Sequence, residues 1–124
     1  MTAKTPKEVD DLFVKYMREG DLESVLNLYD AEIAFVNQNG EILKGISAIR
    51  DQLAHFAESK QVFEFQIERI VLNGDIALVH NKYEMITPNK KSGYAIEVMR
   101  RQPDGSWRFF IGDPFTLGKT FTVR

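Results

Sequence analysis

Apolar positions follow helical spacing in the first half of the chain and strand spacing after residue 60. Val9, Leu12, Phe13, Tyr16 and Met17 form one stripe, which predicts a helix. Thr5-Pro6-Lys7-Glu8 ahead of them has capping-box spacing with proline at the first helical position, and Gly20 stops the run. Asp21 caps a second, shorter helix with Leu22, Val25, Leu26 and Tyr29 on one face. Ile33 to Val36 predicts a short strand, Asn37-Gln38-Asn39-Gly40 its turn, and Glu41 to Lys44 a brief return. Gly45 and Ser47 open a third helix, Ser47 as its cap, with Ile49, Leu53, Phe56 and Ala57 on the buried face.

Beyond Lys60 the period becomes two. Phe63, Phe65 and Ile67 alternate with Glu64, Gln66 and Glu68, the pattern of a strand buried on one side. Asn73-Gly74-Asp75 turns the chain into a strand from Ile76 to about Ile86. A polar loop, Pro88 to Gly93, leads to a strand from Tyr94 to Arg101. Pro103-Asp104-Gly105 is a turn, because proline presets one dihedral and glycine accepts a positive one. The last strand runs from Trp107 to about Ile111, and Asp113-Pro114 ends or bends it. Three N-terminal helices followed by consecutive antiparallel strands predict an α+β fold, with the helices packed on a curved, mainly antiparallel sheet.

Composition narrows the chemistry. The 124 residues predict one domain, residues 1–124, large enough to fold without disulfides. There is no cysteine, so a thiol nucleophile, a cysteine-ligated metal and a disulfide scaffold are excluded. Two histidines argue against a zinc enzyme, and no cofactor or metal is expected. A formal charge of -2 leaves no footprint for nucleic acid, and no apolar run is long enough to span a membrane. Without a signal-peptide pattern at its N-terminus, the chain is expected in the cytoplasm.

Two stretches carry a resemblance that spans nearly the whole chain. One is Gly20-Asp21-Leu22-Glu23, Leu28-Tyr29, Phe35-Val36-Asn37, Gly40 and Gly45. The other is Ile96-Glu97-Val98-Met99-Arg100-Arg101, Asp104-Gly105, Trp107-Arg108 and Asp113-Pro114-Phe115. With these, the chain resembles the nuclear transport factor 2-like superfamily, in the branch of SnoaL-like polyketide cyclases and ketosteroid isomerases. The resemblance implies a cone-shaped half-barrel, a deep apolar pocket between helices and sheet, a small apolar ligand, and a homodimer through the outer face of the sheet. The superfamily hosts isomerases, cyclases and dehydratases as well as association domains, so fold leaves the activity open.

Ketosteroid isomerases use a carboxylate base together with a tyrosine and a protonated carboxylic acid that hold the oxyanion, a standard example of tuned acidity. The resemblance puts the base at Asn37, which cannot accept a proton but can orient a carbonyl or be used up in its own turn. It puts the acid at Glu97. The tyrosine falls on Phe13, with Tyr16 one turn later; either also reads as core. On the second long strand Leu78, His80 and Lys82 share one face, and Val79, Asn81 and Tyr83 the other. One register brings His80 to Glu97 as an acid–base dyad, with Leu78 and Lys82 beside it; the opposite register presents Asn81 and Tyr83. Asp113 is expected near the pocket mouth, since Asp-Pro recurs there in SnoaL-like relatives. Acid–base catalysis by His80 and Glu97 on a small apolar metabolite, binding without turnover, and homodimeric association are the functions these residues leave in play.

Overall fold

The computed structural model describes residues 2–115. Three helices come first: α1 (Pro6–Glu19), α2 (Leu22–Leu26) and, after a short hairpin of β1 (Tyr29–Val36) and β2 (Ile42–Lys44), α3 (Ile46–Glu58). Four long strands follow: β3 (Val62–Asn73), β4 (Ile76–Thr87), β5 (Lys91–Arg101) and β6 (Trp107–Asp113). The sheet order is β2-β1-β6-β5-β4-β3, antiparallel throughout except for the β1–β6 pair. This is the expected α+β arrangement of three helices on a mostly antiparallel open sheet.

Local chemistry explains the helix ends. The Thr5 side chain accepts from the Glu8 amide, and Gly20 takes the left-handed conformation (φ 73°) that closes α1. Asp21 caps α2 through the Ser24 amide and hydroxyl. At α3 the cap position is Gly45, with no side-chain bond, rather than the expected Ser47, which lies inside the first turn. Tyr29 also departs from expectation. It begins β1, opposite Phe109 of β6, instead of continuing the face of α2. Asn27 closes that helix too early for Tyr29 to join it.

Bulges interrupt the strand pairing and reset which residues face inward, two of them at Glu68 and Phe110. Glu68 is the extra residue between the pairs Ile67–Asn81 and Arg69–His80. Phe110 is the extra residue between Met99–Phe109 and Val98–Ile111. Each bulge shifts the alternation by one position beyond it. Ile111 is therefore paired with the outer row and is 40% exposed, although strict alternation would have put it inward with Trp107 and Phe109.

The concave face carries the core. Val9, Met17, Val25, Ile33, Val79 and Met99 are completely or almost completely enclosed between helices and strands. Aromatic rings fill the wider end. Phe13 from α1 meets Phe63 edge-on at 5.3 Å and Phe109 at 6.1 Å, and Tyr29 lies 4.8 Å from Phe109.

Candidate functional site

Between the helices and the concave face lies a cavity of about 340 Å³. Phe13, Tyr29, Phe56, Phe63, Phe65 and Phe109 supply most of its wall. Two carboxyl-bearing residues line it, Glu97 on β5 and Asp113 at the end of β6. Gly112 pairs directly with Glu97, so the strand beside the carboxyl carries no side chain there. Lys90 and Lys91 come to the cavity from the β4–β5 turn. A second hollow of about 820 Å³ near the sheet edge is lined by Glu64, Gln66, Lys82, Glu84 and the buried Tyr83.

The register of β4 against β5 decides the chemistry of the site. Val79 pairs with Glu97 and Asn81 with Ala95, whereas His80 pairs with Ile96. Paired residues share a face. Val79, Asn81, Tyr83 and Met85 therefore point inward, and each is buried. Leu78, His80 and Lys82 point to the outer face, so the dyad of His80 with Glu97 does not form. Lys82 is exposed, its ammonium 5.6 Å from the Tyr94 ring.

Asn81 takes the place expected of His80. It is 1% exposed, and its Nδ2 donates to Glu97 Oε1 at 2.6 Å and to Asp10 Oδ2 at 3.3 Å. Asp10 arrives from α1, on the same helical face as Phe13 and Met17, and is also 1% exposed. The Asp10 and Glu97 carboxyls thus meet at one amide nitrogen, Asn81 Nδ2. Burial pushes the Glu97 carboxyl up to about 7, against the opposing hydrogen bonds from Asp10 and Asn81. Burial also pushes Asp10 well above the usual carboxylate range, and the neighbouring Glu97 charge pushes it further. Tyr29 is raised by its burial and then by the charges of Glu97 and Asp10.

The remaining expected residues fall in three places. Phe13 and Asp113 are among the residues lining the cavity. Tyr16 is buried in the core and does not line the cavity. Asn37 is occupied in its own turn. Its Oδ1 accepts from the Asn39 and Glu41 amides, both at 2.9 Å, and its Nδ2 donates to Glu41 Oε1 at 3.1 Å. It contributes nothing to the cavity wall. The hydroxyl on that wall is instead Tyr29, and Tyr83 lines it while donating to the Pro114 carbonyl at 2.9 Å.

Asp10 and Tyr29 are the site residues that sequence patterning overlooked. For Asp10 a signal existed, since it is an acid lying within an apolar helical stripe. Tyr29 fits helix and strand patterns equally well, so the sequence carried no comparable signal for it. Among the described residues, no three His, Asp or Glu side chains are grouped to hold a metal ion. No helix among them is long and apolar enough to cross a membrane.

A family model described as SnoaL-like domain matches residues 11–110. None of the curated proteins matches the sequence at a significant level. Solved structures share the fold at low identity. A candidate calcium/calmodulin-dependent protein kinase type II association domain from Thiobacillus denitrificans superposes with a TM-score of 0.77 at 15% identity, covering 94% of this chain and 99% of that one. A candidate dehydratase of the NTF2-like family from Streptomyces avermitilis gives 0.65 at 20% identity, with coverage of 86% and 88%. A ketosteroid isomerase-like protein from Erwinia carotovora atroseptica gives 0.66 at 15% identity, also with 86% and 88%. At these identities the likeness is one of fold.

Proposed function

The chain belongs to the SnoaL-like domain family of the NTF2-like superfamily, and from that premise we propose that it is a small-molecule pocket protein whose working group is Glu97. The observation that supports this is the Glu97 carboxyl, raised to about 7, facing an aromatic-walled cavity. Such a group donates a hydrogen bond or a proton when neutral and accepts one when ionised, both near physiological pH. The fitting ligand is flat and largely apolar, with one carbonyl or hydroxyl at the Glu97 end. Neutral Glu97 would polarise a ligand carbonyl, with the Tyr29 hydroxyl on the same wall as a second donor. Isomerase, cyclase and dehydratase chemistry all begin with that polarisation. Phe13 packs the ligand body and Asp113 guards the mouth. His80, Leu78 and Lys82, on the outer face, take no part.

A probe of this class is 2-acetonaphthone, a fused-ring methyl ketone. Calorimetry should show saturable binding at about pH 5.5 and binding several-fold weaker at about pH 8.5, because ionised Glu97 cannot donate to the ketone. Glu97→Leu should abolish that pH dependence. Absence of binding at both pH values, or the same pH dependence in the Leu variant, overturns the assignment.

Binding without turnover is the second reading. It is favoured by Asn37, whose amide is committed to its turn where an isomerase would carry its base. Deuterium exchange at the methyl group of the bound ketone, followed by proton NMR, separates the two. Exchange accelerated by the wild-type protein and lost in Glu97→Gln marks acid–base catalysis; unaccelerated exchange marks a receptor.

The outer face of the sheet supports a homodimer. Val71, Leu78, Val98 and Ile111 pair in sequence across four strands to make one apolar row. Val71 and Ile111 at its ends are 45% and 40% exposed. Two-copy association through this row, by a protein residing in the cytoplasm, fits the association-domain name of one structural neighbour.

A further inference from the structure

Helix α1 contributes an acid, Asp10, that does not itself line the cavity. We propose that Asp10 is a positioning residue: it remains a neutral carboxylic acid, gives its hydrogen to Glu97, and together with Asn81 keeps Glu97 as the single ionising group at the cavity floor. The inference builds on the assignment of Glu97 as the pocket group.

The hydrogen-bond inventory requires a proton here. Asn81 has two Nδ2 hydrogens, and it faces one carboxylate oxygen from each acid. Asp10 Oδ1 and Asn81 Oδ1 are both fully buried and have no partner among the described groups. If both acids were ionised, two negative charges would share one amide in an apolar interior. Among the described residues no cation is hydrogen-bonded or ion-paired to either acid. The titratable and polar residues sharing the cavity or the cluster with Glu97 are Asp10 from α1, Tyr29 from β1, Asn81 and Tyr83 from β4, Asp113 from the end of β6, Lys90 before β5 and Lys91 at its start; α3 presents only Leu53 and Phe56. One proton therefore stays in the pair.

The two acids are not equivalent holders of that proton. Asp10 has almost no exposed surface and does not line the cavity. Glu97 does line the cavity, and it takes the shorter of the two Asn81 bonds, 2.6 Å against 3.3 Å. Ionised Glu97 gains that bond and any solvation the cavity offers, whereas ionised Asp10 gains only the longer one. Placing the proton on Asp10 also turns an unsatisfied buried acceptor into a donor.

The test uses the full chain with 13C-labelled Asp and Glu side-chain carboxyls, titrated by NMR without ligand. In the wild-type protein Glu97 should titrate near 7 while Asp10 stays protonated through that range. Asp10→Asn keeps a neutral donor at the site, so the Glu97 midpoint should move by no more than about half a pH unit. Asp10→Leu removes the donor and should raise the midpoint by about one unit or more. A Glu97 midpoint that falls by about one unit or more in Asp10→Asn is the signature of a removed negative charge, and it overturns the inference. So does an Asp10 that titrates in the ordinary carboxylate range. The Asn variant, close to isosteric, decides the matter even where the Leu variant does not fold. Because no ligand is involved, failure of ketone binding and failure of this inference are separate results.

Discussion

Replacing Glu97 by Gln should make the protein more stable in alkaline solution and change little in acid. A carboxyl whose acidity is weakened by folding binds its proton more tightly in the native state. Its contribution to stability is thus complete below the unfolded value, near 4.5, and is lost as pH rises through the folded value, about 7. The full span is about 3 kcal/mol, and most of it falls between pH 5 and pH 9. The amide of the Gln variant does not ionise and is free of this loss. Urea unfolding of both proteins at several pH values isolates the effect of the Asp10–Glu97 pair, since titrations remote from it cancel in the difference. The stability of Glu97→Gln relative to wild type should climb by about 2–3 kcal/mol from pH 5 to pH 9, most steeply at about pH 6, midway between the unfolded and folded values. A difference that is constant across pH would refute the burial argument for Glu97, whatever the offset between the two proteins.

Other expected outcomes can be checked with simple measurements. Asp30 is buried and accepts from Arg100 Nε and Nη2 at 3.0 and 2.9 Å and from Gln102 at 2.8 Å, so Asp30→Ala should cost about 2–4 kcal/mol in urea unfolding at neutral pH. Burial raises the Asp30 carboxyl, but the bonds from Arg100, the Glu32 amide and Gln102 outweigh it and leave it below its usual value. The cost of Asp30→Ala should therefore shrink as pH falls below about 4. A Cβ at Gly93 would come within 2.7 Å of the Tyr83 hydroxyl oxygen, so Gly93→Ala should displace that ring and lower stability by about 1–3 kcal/mol in thermal or urea melts. Ile111→Lys should convert a dimer to monomer in light scattering, and an unchanged mass would remove the outer row as its interface. His80→Ala should leave 2-acetonaphthone binding unchanged, because His80 sits on the far side of the sheet.

Element types were legible in the sequence because each rests on local chemistry. The Thr5-Pro6 start and Gly20 stop of α1 form their bonds within one turn of the residues concerned. The Asn37 turn likewise closes on its own neighbours. Glu97 was reached as the pocket acid through resemblance, and the cavity does present it. Boundaries that depend on a partner strand were not legible. Tyr29 fits a helical face as well as a strand, and only pairing with Phe109 places it in β1.

What the sequence determined by itself was the order of helices and strands, and the two possible faces of each strand. Period two separates His80 from Asn81 but cannot say which of them meets Glu97. That choice is a cross-strand register, set by pairing Val79 with Glu97 across residues far apart in the chain. The bulges at Glu68 and Phe110 add a parity change that no local pattern announces. The tertiary structure therefore decided the chemistry of the site. It turned the histidine outward and brought an amide and a helix carboxylate, distant in sequence, into one buried cluster with Glu97. The physical reason is that the burial that raises both carboxyls, and the nearby Glu97 charge that raises Asp10 further, exist only once α1 has docked onto the sheet.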